Sequence, residues 1–392
     1  MVIAPQRTDP PTVVVVGAGI VGTMHAVEAC RRGMRVIHLE RDALPSGASV
    51  RNLGLVWVSG RAAGGELAMA LRARRGWADL AGACPGIGFA ESGSLTLATS
   101  DDGVDALQSA ALMSDAPQRG FDYLSGDEAR RRFPALAAGV LGTLHCRLDA
   151  TVEPRVAVGA LQHWLGDAFS DRYRLELGVD VRDVGDGWVS DSRGRTHRGD
   201  LVVLCPGAVL DGPAAEIAAG APLQRVSLQV LQTAPSSRAI GPVLANVDSV
   251  RYYPAFEGEP RQRLGPPDDI TERWRTQLLA AQRADGSLTV GDTHMIGEPP
   301  PFDYDSEPEA WMLDRLSEVL ADSPPPVVRR WTGLYSQHAA GAACLRLTPD
   351  PGLMLVTGLG GRGMTLSPAI ASESLAPLAT EVVPDDPKEV SA

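Results

Sequence analysis

The sequence predicts an α/β fold in which a three-layer unit is interleaved with an α+β unit carrying a mixed or antiparallel sheet. Three observations carry this expectation. Residues 12–40 read as strand, helix and strand around a glycine-rich turn. Residues 353–368 repeat a buried strand, a glycine turn and a helix near the other end. Between them the strand–helix alternation fades, and residues 221–300 are rich in strands and loops. The first unit is therefore Rossmann-like.

Taken in order, residues 12–16 are a β-branched run, the pattern of a buried parallel strand. Residues 20–32 place Val21, Met24, Ala26, Val27 and Cys30 at helical spacing, with Gly33 as the cap. Residues 35–39 form the second strand, ending at Glu40. Helices are expected over 64–80, 127–133 (stopped by Pro134), 156–169 and 309–320. Strands are expected over 93–99, with alternation, and over 175–184, 187–193, 201–204 and 353–357. The stretch Asp191-Ser192-Arg193-Gly194 reads as a hairpin-like turn, and residues 323–326 as a proline-rich break. A last helix is expected from about Pro368, with Ser367 as N-cap and Pro368 at the first helical position. The acidic tail, residues 381–392, reads as disordered.

The chain has 392 residues, enough for two or three domains and a full apolar core. Its net charge of −12 argues against a nucleic-acid or anionic-membrane partner. A local arginine cluster can still hold a small anion inside a pocket. Cys30, Cys84, Cys146, Cys205 and Cys344 are widely spaced and form no CxxC pair, so neither a disulfide framework nor a metal site is expected. A reducing cytosol fits best. No basic leader with an apolar run is visible at the N-terminus, and no apolar run is long enough to span a bilayer.

The glycine turn is Gly17-Ala18-Gly19-Ile20-Val21-Gly22. Gly17 allows the tight turn, Gly19 lets a pyrophosphate approach the backbone, and Gly22 permits close helix–strand packing. The helix N-terminus then faces phosphate charge. Glu40 stands where a carboxylate accepts hydrogen bonds from ribose hydroxyls. The motif alone says dinucleotide. Its N-terminal position and the second glycine turn favour FAD over NAD.

Further stretches follow the same order along the chain. They are Gly47-Ala48-Ser49-Val50-Arg51-Asn52-Leu53-Gly54, Glu91-Ser92-Gly93-Ser94-Leu95, Val152-Glu153-Pro154, and Thr357-Gly358-Leu359-Gly360-Gly361-Arg362-Gly363-Met364-Thr365-Leu366-Ser367-Pro368. With residues 13–42, they resemble the D-amino acid oxidase superfamily of FAD-dependent amine oxidoreductases over nearly the whole chain. The resemblance implies cofactor contacts at Gly17, Gly19, Ile20, Val21, Gly22, Glu40 and Arg41 in the first half-site. It extends them to Ser49, Arg51, Asn52 and Leu53 in the next loop, and to Val181, Pro206, Gly207 and Gly333 further on. Gly360, Gly361, Gly363, Met364 and Thr365 complete the second turn. A narrower resemblance rests on residues 51–57, 251–256 and 284–294. It is to a bacterial subgroup associated with oxidation of aminoalkylphosphonates.

Amine oxidation by a flavin needs an oriented, deprotonated amine and an anchor for its anionic tail. Arginine suits the anchor, because its fork matches carboxylate and phosphonate oxygens. Arg51 and Arg362 lie in the two flavin-adjacent loops. Arg251 lies in a strand-like stretch beside Tyr252 and Tyr253, and reads equally as a surface charge. His294, Tyr252, Tyr335 and Gln337 are pocket candidates. His294 reads at least as well as a structural histidine. Trp57 and Trp331 are more often core.

Two departures from the family pattern matter. Sarcosine oxidases attach FAD through a cysteine, and Gly333 stands at the matching place here, so the FAD is expected to be non-covalent. Those enzymes also activate oxygen with a lysine where this chain has Thr289, which leaves the acceptor open between O2 and another oxidant. The expected partner is a small anionic amine, and the expected state a monomer or small homo-oligomer. The alternatives are an NAD(P)H-dependent flavin hydroxylase or reductase, without a second dinucleotide motif to support it, and a non-catalytic flavin-binding protein. Residues 1–84, 147–222 and 331–380 are expected to form the FAD-binding domain, and 85–146 and 223–330 the substrate domain.

Overall fold

The computed structural model describes residues 9–297 and 302–378. The expected disordered tail lies outside the described residues. Strand Thr12–Val16 sits in a six-stranded sheet ordered Leu345–Asp350, Leu353–Thr357, Leu201–Leu204, Thr12–Val16, Arg35–Glu40 and Tyr173–Leu177. All neighbours pair parallel except the antiparallel edge strand Leu345–Asp350. Because strand side chains alternate between faces, Val13 and Val15 enter one core and Val14 another. The first core packs helices Ile20–Arg31, Gly65–Ala83, Pro154–Ala168 and Gly363–Ser374. The second is covered by a three-stranded antiparallel sheet, Val181–Gly185, Trp188–Asp191 and Thr196–Arg198, and by helix Gly212–Ile217. Three layers result, as expected.

A nine-stranded mixed sheet forms the second unit. Its axis is the long strand Leu223–Pro235, which pairs antiparallel with Val327–His338 on one edge and with Ser287–Gly291 and Met295–Ile296 on the other. The sheet continues through Leu279–Gln282, Val243–Asn246, Ser94–Ala98 and Gly142–Cys146 to Phe121–Ser125. Only Val243–Asn246 and Ser94–Ala98 run parallel. No helix among the described residues is long and apolar enough to cross a membrane.

Several local expectations change. Ser94–Ala98 does not alternate: all five residues are buried, because the strand lies inside the sheet with apolar clusters on both faces. The run expected over 175–184 is split into Tyr173–Leu177 and Val181–Gly185, in two different sheets, by Gly178 at φ +67°. The Asp191 turn closes as expected, its carboxylate accepting from the Arg193 and Arg195 N–H groups (both 2.9 Å). Arg251 lies on a short helix, Asp248–Tyr252, not on a strand.

The largest correction concerns the last helix. It starts at Gly363, so Ser367 and Pro368 are interior. Proline there removes the N–H that would serve the Met364 carbonyl. The buried Trp77 Nε1–H donates to that carbonyl instead, at 2.9 Å. A neighbouring helix thus supplies the hydrogen bond that the proline cannot.

Trp77→Phe should therefore cost about 1–3 kcal/mol beyond its packing loss, by leaving a buried carbonyl unpaired. Urea melts of Trp77→Phe with and without Pro368→Ala check this. The alanine N–H should recover part of the loss only when Trp77 is absent.

Candidate active site

Two helix N-termini converge on one cleft, whose open space, solvent at its mouth included, is about 1020 Å³. Helix Ile20–Arg31 begins at Gly19 without a side-chain cap, and helix Gly363–Ser374 begins at Arg362 without one. Their first N–H groups lack intrahelical partners and carry partial positive charge. The glycine turn makes this approach possible. Gly17 adopts φ +99°. A Cβ at Gly22 would collide with the Gly17 carbonyl, and one at Gly17 with the Cys205 carbonyl. Beneath the turn, the Gly17 carbonyl accepts from His38 Nε2 at 3.2 Å, which leaves Nδ1 to accept from the Tyr173 hydroxyl at 3.1 Å. Burial holds His38 neutral, its pKa lowered to about 4.

The cleft brings together most of the expected cofactor residues. Gly19, Ile20, Val21 and Gly22 form one end. Ser49, Arg51, Asn52 and Leu53 form a side wall, with Ser49 Oγ accepting from the Ile20 N–H at 2.9 Å. Gly207, Gly333, Tyr335, Gly360, Gly361, Gly363 and Met364 complete it. The residues fit a long dinucleotide: an uncapped helix at each end, glycine walls between, and no side chain filling the gap.

Others stand off the cleft. Gly17 lies under the turn and Pro206 beside Gly207. Glu40 accepts from the Ala18 N–H (2.7 Å) and the Asp42 N–H (2.9 Å), leaving one lone pair on each oxygen. Arg41 pairs with Asp211 at 2.9 Å. Val181 belongs to the small antiparallel sheet. The Thr365 hydroxyl is occupied by the Trp57 N–H (2.9 Å) and the Leu55 carbonyl (3.1 Å). Arg51 laces its loop to the second sheet, donating to the Ser46 carbonyl (2.7 Å) and the Thr332 carbonyl (3.0 Å). Arg251 is paired with Asp248 at 3.0 Å. Gln337 contacts the second turn at Gly360. Trp331 donates to the Arg51 carbonyl at 2.9 Å, and Trp57 is core.

Beyond the cleft an aromatic series leads inward. Trp57, Tyr253, Tyr252 and His294 follow one another at ring separations of 6.0, 5.0 and 4.2 Å. Charged groups adjoin this series, and of them the sequence reading named Arg362 but not Arg61, Glu66 or Asp292. Arg61 is buried, with its guanidinium 5.6 Å over the Tyr253 ring and its Nε without a hydrogen-bond partner. Arg61 and Arg362 reach the same oxygen of Glu66, at 3.6 and 3.4 Å. Burial pulls the Arg362 pKa down, and Arg61 adds to that. Two cations therefore share one carboxylate. Asp292 lines the cleft, buried, with Oδ1 unpartnered and 3.6 Å from His294 Nε2. Burial raises the Asp292 pKa and His294 opposes the shift. Tyr252 registers both signs of charge. Burial pushes its phenol up to about 12; Asp292 adds to this, while Arg61 and Arg362 oppose it. The buried Tyr335 hydroxyl faces the Tyr252 phenol, and its pKa is also raised by burial. Orphaned buried polar atoms such as Arg61 Nε and Asp292 Oδ1 mark a place for a ligand.

The segment carrying Arg61 is held from both sides. Asp149, fully buried, accepts from the Val58 N–H (2.6 Å), the Ser59 N–H (2.9 Å) and the Ser94 hydroxyl (2.6 Å). Arg119, also fully buried, donates to the Ser59 carbonyl (3.0 Å) and the Arg61 carbonyl (2.7 Å). Among the described residues no group of three or more His, Cys, Asp or Glu side chains could hold a metal ion.

The family described as DAO, FAD dependent oxidoreductase, matches residues 12–374. The chain is 25% identical over 240 residues to an opine oxidase component of Rhizobium meliloti, covering 58% of this chain and 64% of that one. It is 27% identical over 212 residues to glycine oxidase of Geobacillus kaustophilus, covering 50% and 54%. The matches thus span less than two thirds of those curated relatives. The crystal structure of glycine oxidase from Geobacillus kaustophilus shares the fold, with a TM-score of 0.74 at 21% identity over 95% of both chains.

Gly22→Ala should abolish flavin retention while the chain stays folded, because the added methyl pushes the helix N-terminus off the cleft. Flavin absorbance per mole of purified protein should fall at least tenfold, with far-ultraviolet circular dichroism unchanged.

Proposed function

This chain belongs to the DAO family of FAD-dependent oxidoreductases, and from that premise we propose that it oxidises the C–N bond of a small anionic primary or secondary amine. Amino acids, N-methyl amino acids and aminoalkylphosphonates are the class. One observation carries the reading: the cationic Arg61 and Arg362, which share Glu66, and the acidic, cleft-lining Asp292 all act electrostatically on the same tyrosine, Tyr252. That arrangement matches a molecule with an anion at one end and an ammonium at the other. Glycine oxidase, among the relatives, takes its name from an amino acid.

Bound FAD supplies a two-electron acceptor for hydride from the carbon beside nitrogen. The chain's own residues do the rest. The glycine turn and the first helix would hold the pyrophosphate, and the N-terminus of helix Gly363–Ser374 would favour negative charge on a bound flavin. Arg61 and Arg362 bind the substrate anion. Tyr252 and Tyr253 flank the substrate and limit water. The second sheet thus acts as the substrate-binding unit, and the first as the FAD-binding unit.

The cofactor is held non-covalently on this reading. A side chain at position 333 would meet Leu228 Cδ1 at 2.5 Å, which disfavours a cysteine there. Cys205 lines the cleft, but burial pushes its thiol pKa far up, away from thiolate chemistry. Thr289 is buried between Gln232 and Ala281 in the sheet and does not line the cleft, so oxygen is not the assured acceptor. Free cysteines, four of the five buried, fit a reducing cytosol.

Anaerobic mixing of the FAD-loaded protein with glycine, sarcosine, D-amino acids, 2-aminoethylphosphonate and N-methyl amines tests the reading. At least one anionic amine should bleach the flavin, and NADPH should not. Bleaching by NADPH alone would sink it. Arg61→Gln should lower kcat/KM about 10- to 100-fold, mostly through KM, the cost of one charged hydrogen bond to the anion.

A further inference from the structure

Asp292 is the acidic group that the cleft exposes, and its setting is unusual for a carboxylate. It is 8% accessible and lines the cleft with Tyr335 and Gly361. Oδ1 has no hydrogen-bond partner. Its backbone is held firmly: the Asp292 carbonyl accepts from the Thr276 hydroxyl at 3.1 Å, and the Thr293 hydroxyl accepts from the Gln229 N–H at 3.0 Å. The carboxylate is therefore positioned and left unsatisfied.

His294 gives the arrangement a direction. Its Nδ1 faces the Arg275 carbonyl at 3.0 Å. A carbonyl only accepts, so Nδ1 carries the hydrogen. In the neutral ring Nε2 then presents a lone pair, and it points at Asp292 Oδ1 across 3.6 Å. Two acceptors facing one another favour a proton between them. The groups facing this pair from other elements are the phenols of Tyr252, Tyr253 and Tyr335. The Arg61 and Arg362 guanidinium groups act on Tyr252 and oppose the effect of Asp292 on its phenol. Among the described residues His294 is the group whose charge, once protonated, offsets Asp292.

We propose that Asp292, backed by His294, takes the ammonium proton of the substrate, so that the zwitterion that binds becomes the free amine that reacts. This rests on the amine-oxidation reading above. The N–H bond breaks, the proton passes to an Asp292 carboxylate oxygen, and the electron pair stays on nitrogen. The C–H bond then breaks and its pair leaves as hydride to FAD, the family's acceptor. The nitrogen pair closes the C=N bond of an iminium. One proton and one hydride leave the substrate in separate directions, and Asp292 ends as a neutral acid. His294 Nε2 is the next acceptor along the path. Positioned proton acceptors of this kind contribute about 10²–10⁴-fold.

The experiment follows anaerobic flavin reduction against pH, using whichever amine of the panel bleaches the wild type. In the wild type the rate over Kd should rise along an acid limb set by the Asp292–His294 pair. In Asp292→Asn the limb should move up to the ammonium's own pKa. The rate at pH 7 should then fall at least 100-fold and recover to within a few-fold at high pH. His294→Gln should move the same limb by a smaller amount. A second readout does not use turnover. Trimethylglycine has an anion and a fixed cation but no N–H, and its binding should expel a proton from the wild-type pair. Calorimetry in buffers of different ionisation enthalpy should record that release, and Asp292→Asn should show none. An unchanged limb in both variants, or equal proton release in wild type and Asp292→Asn, overturns the proposal while amine oxidation stands. Failure of every amine to bleach the wild type overturns the amine reading and this proposal with it.

Discussion

The architecture depends on a contact between backbones with no side chain in the way. Gly22 packs on the Gly17 carbonyl, and Gly17 packs on the Cys205 carbonyl. There the first strand, the first helix and the end of strand Leu201–Leu204 pack closely enough to aim the helix N-terminus at the cleft. His38 reinforces the turn from below with a hydrogen bond to the same Gly17 carbonyl. The second half-site lines the cleft with Gly360, Gly361 and Gly363, without the backbone-on-backbone contact of the first. A ligand with a pyrophosphate at one end and a reducible ring at the other is the natural occupant of such a cleft.

Around this rigid base the second sheet places the chemistry. The long strand Leu223–Pro235 holds Val327–His338 on one edge and the segment leading to Asp292 on the other, so Tyr335 and Asp292 meet at the cleft from opposite sides of one strand. Arg61 arrives from the first unit, on a segment gripped by a buried carboxylate and a buried guanidinium, Asp149 and Arg119. Burying both ions is costly unless each is fully hydrogen-bonded. Here that cost fixes the segment carrying Arg61, and with it one end of the substrate. The segments of both units are thus needed to complete the site.

What the sequence reveals and what it hides follow from the range of the interactions. The glycine turn is legible because every requirement is local: a strand, three glycines at fixed spacing and a helix. The same holds for the buried strands Leu201–Leu204 and Leu353–Thr357. Pro368 is misread because the local rule puts proline at a helix start, whereas Trp77, far away in the chain, supplies the missing donor. Arg51 reads as an anion receptor because it lies in a flavin-adjacent loop, yet carbonyls of its own loop and of the second sheet occupy it. Arg362, whose Nη1 also serves the Gly341 and Ala342 carbonyls (2.9 and 2.7 Å), keeps its Nε toward Glu66 beside Arg61. Arg61 and Asp292 carry no spacing signal at all. Their meaning comes from being brought within electrostatic reach of Tyr252 by separate units. Asp292 lies two residues from His294, which the sequence does single out, but a lone carboxylate in a strand end has no pattern to distinguish it.

The orientation of the substrate relative to Arg61, Arg362 and Asp292 decides whether the cationic and acidic groups act as described. A crystal structure of the FAD-loaded protein with trimethylglycine bound would reveal that orientation. The carboxylate should lie within hydrogen-bonding distance of Arg61 and Arg362, with the nitrogen turned toward Asp292. A carboxylate held instead by Arg51, or a nitrogen turned toward Glu66 and away from Asp292, would contradict this assignment of the two ends.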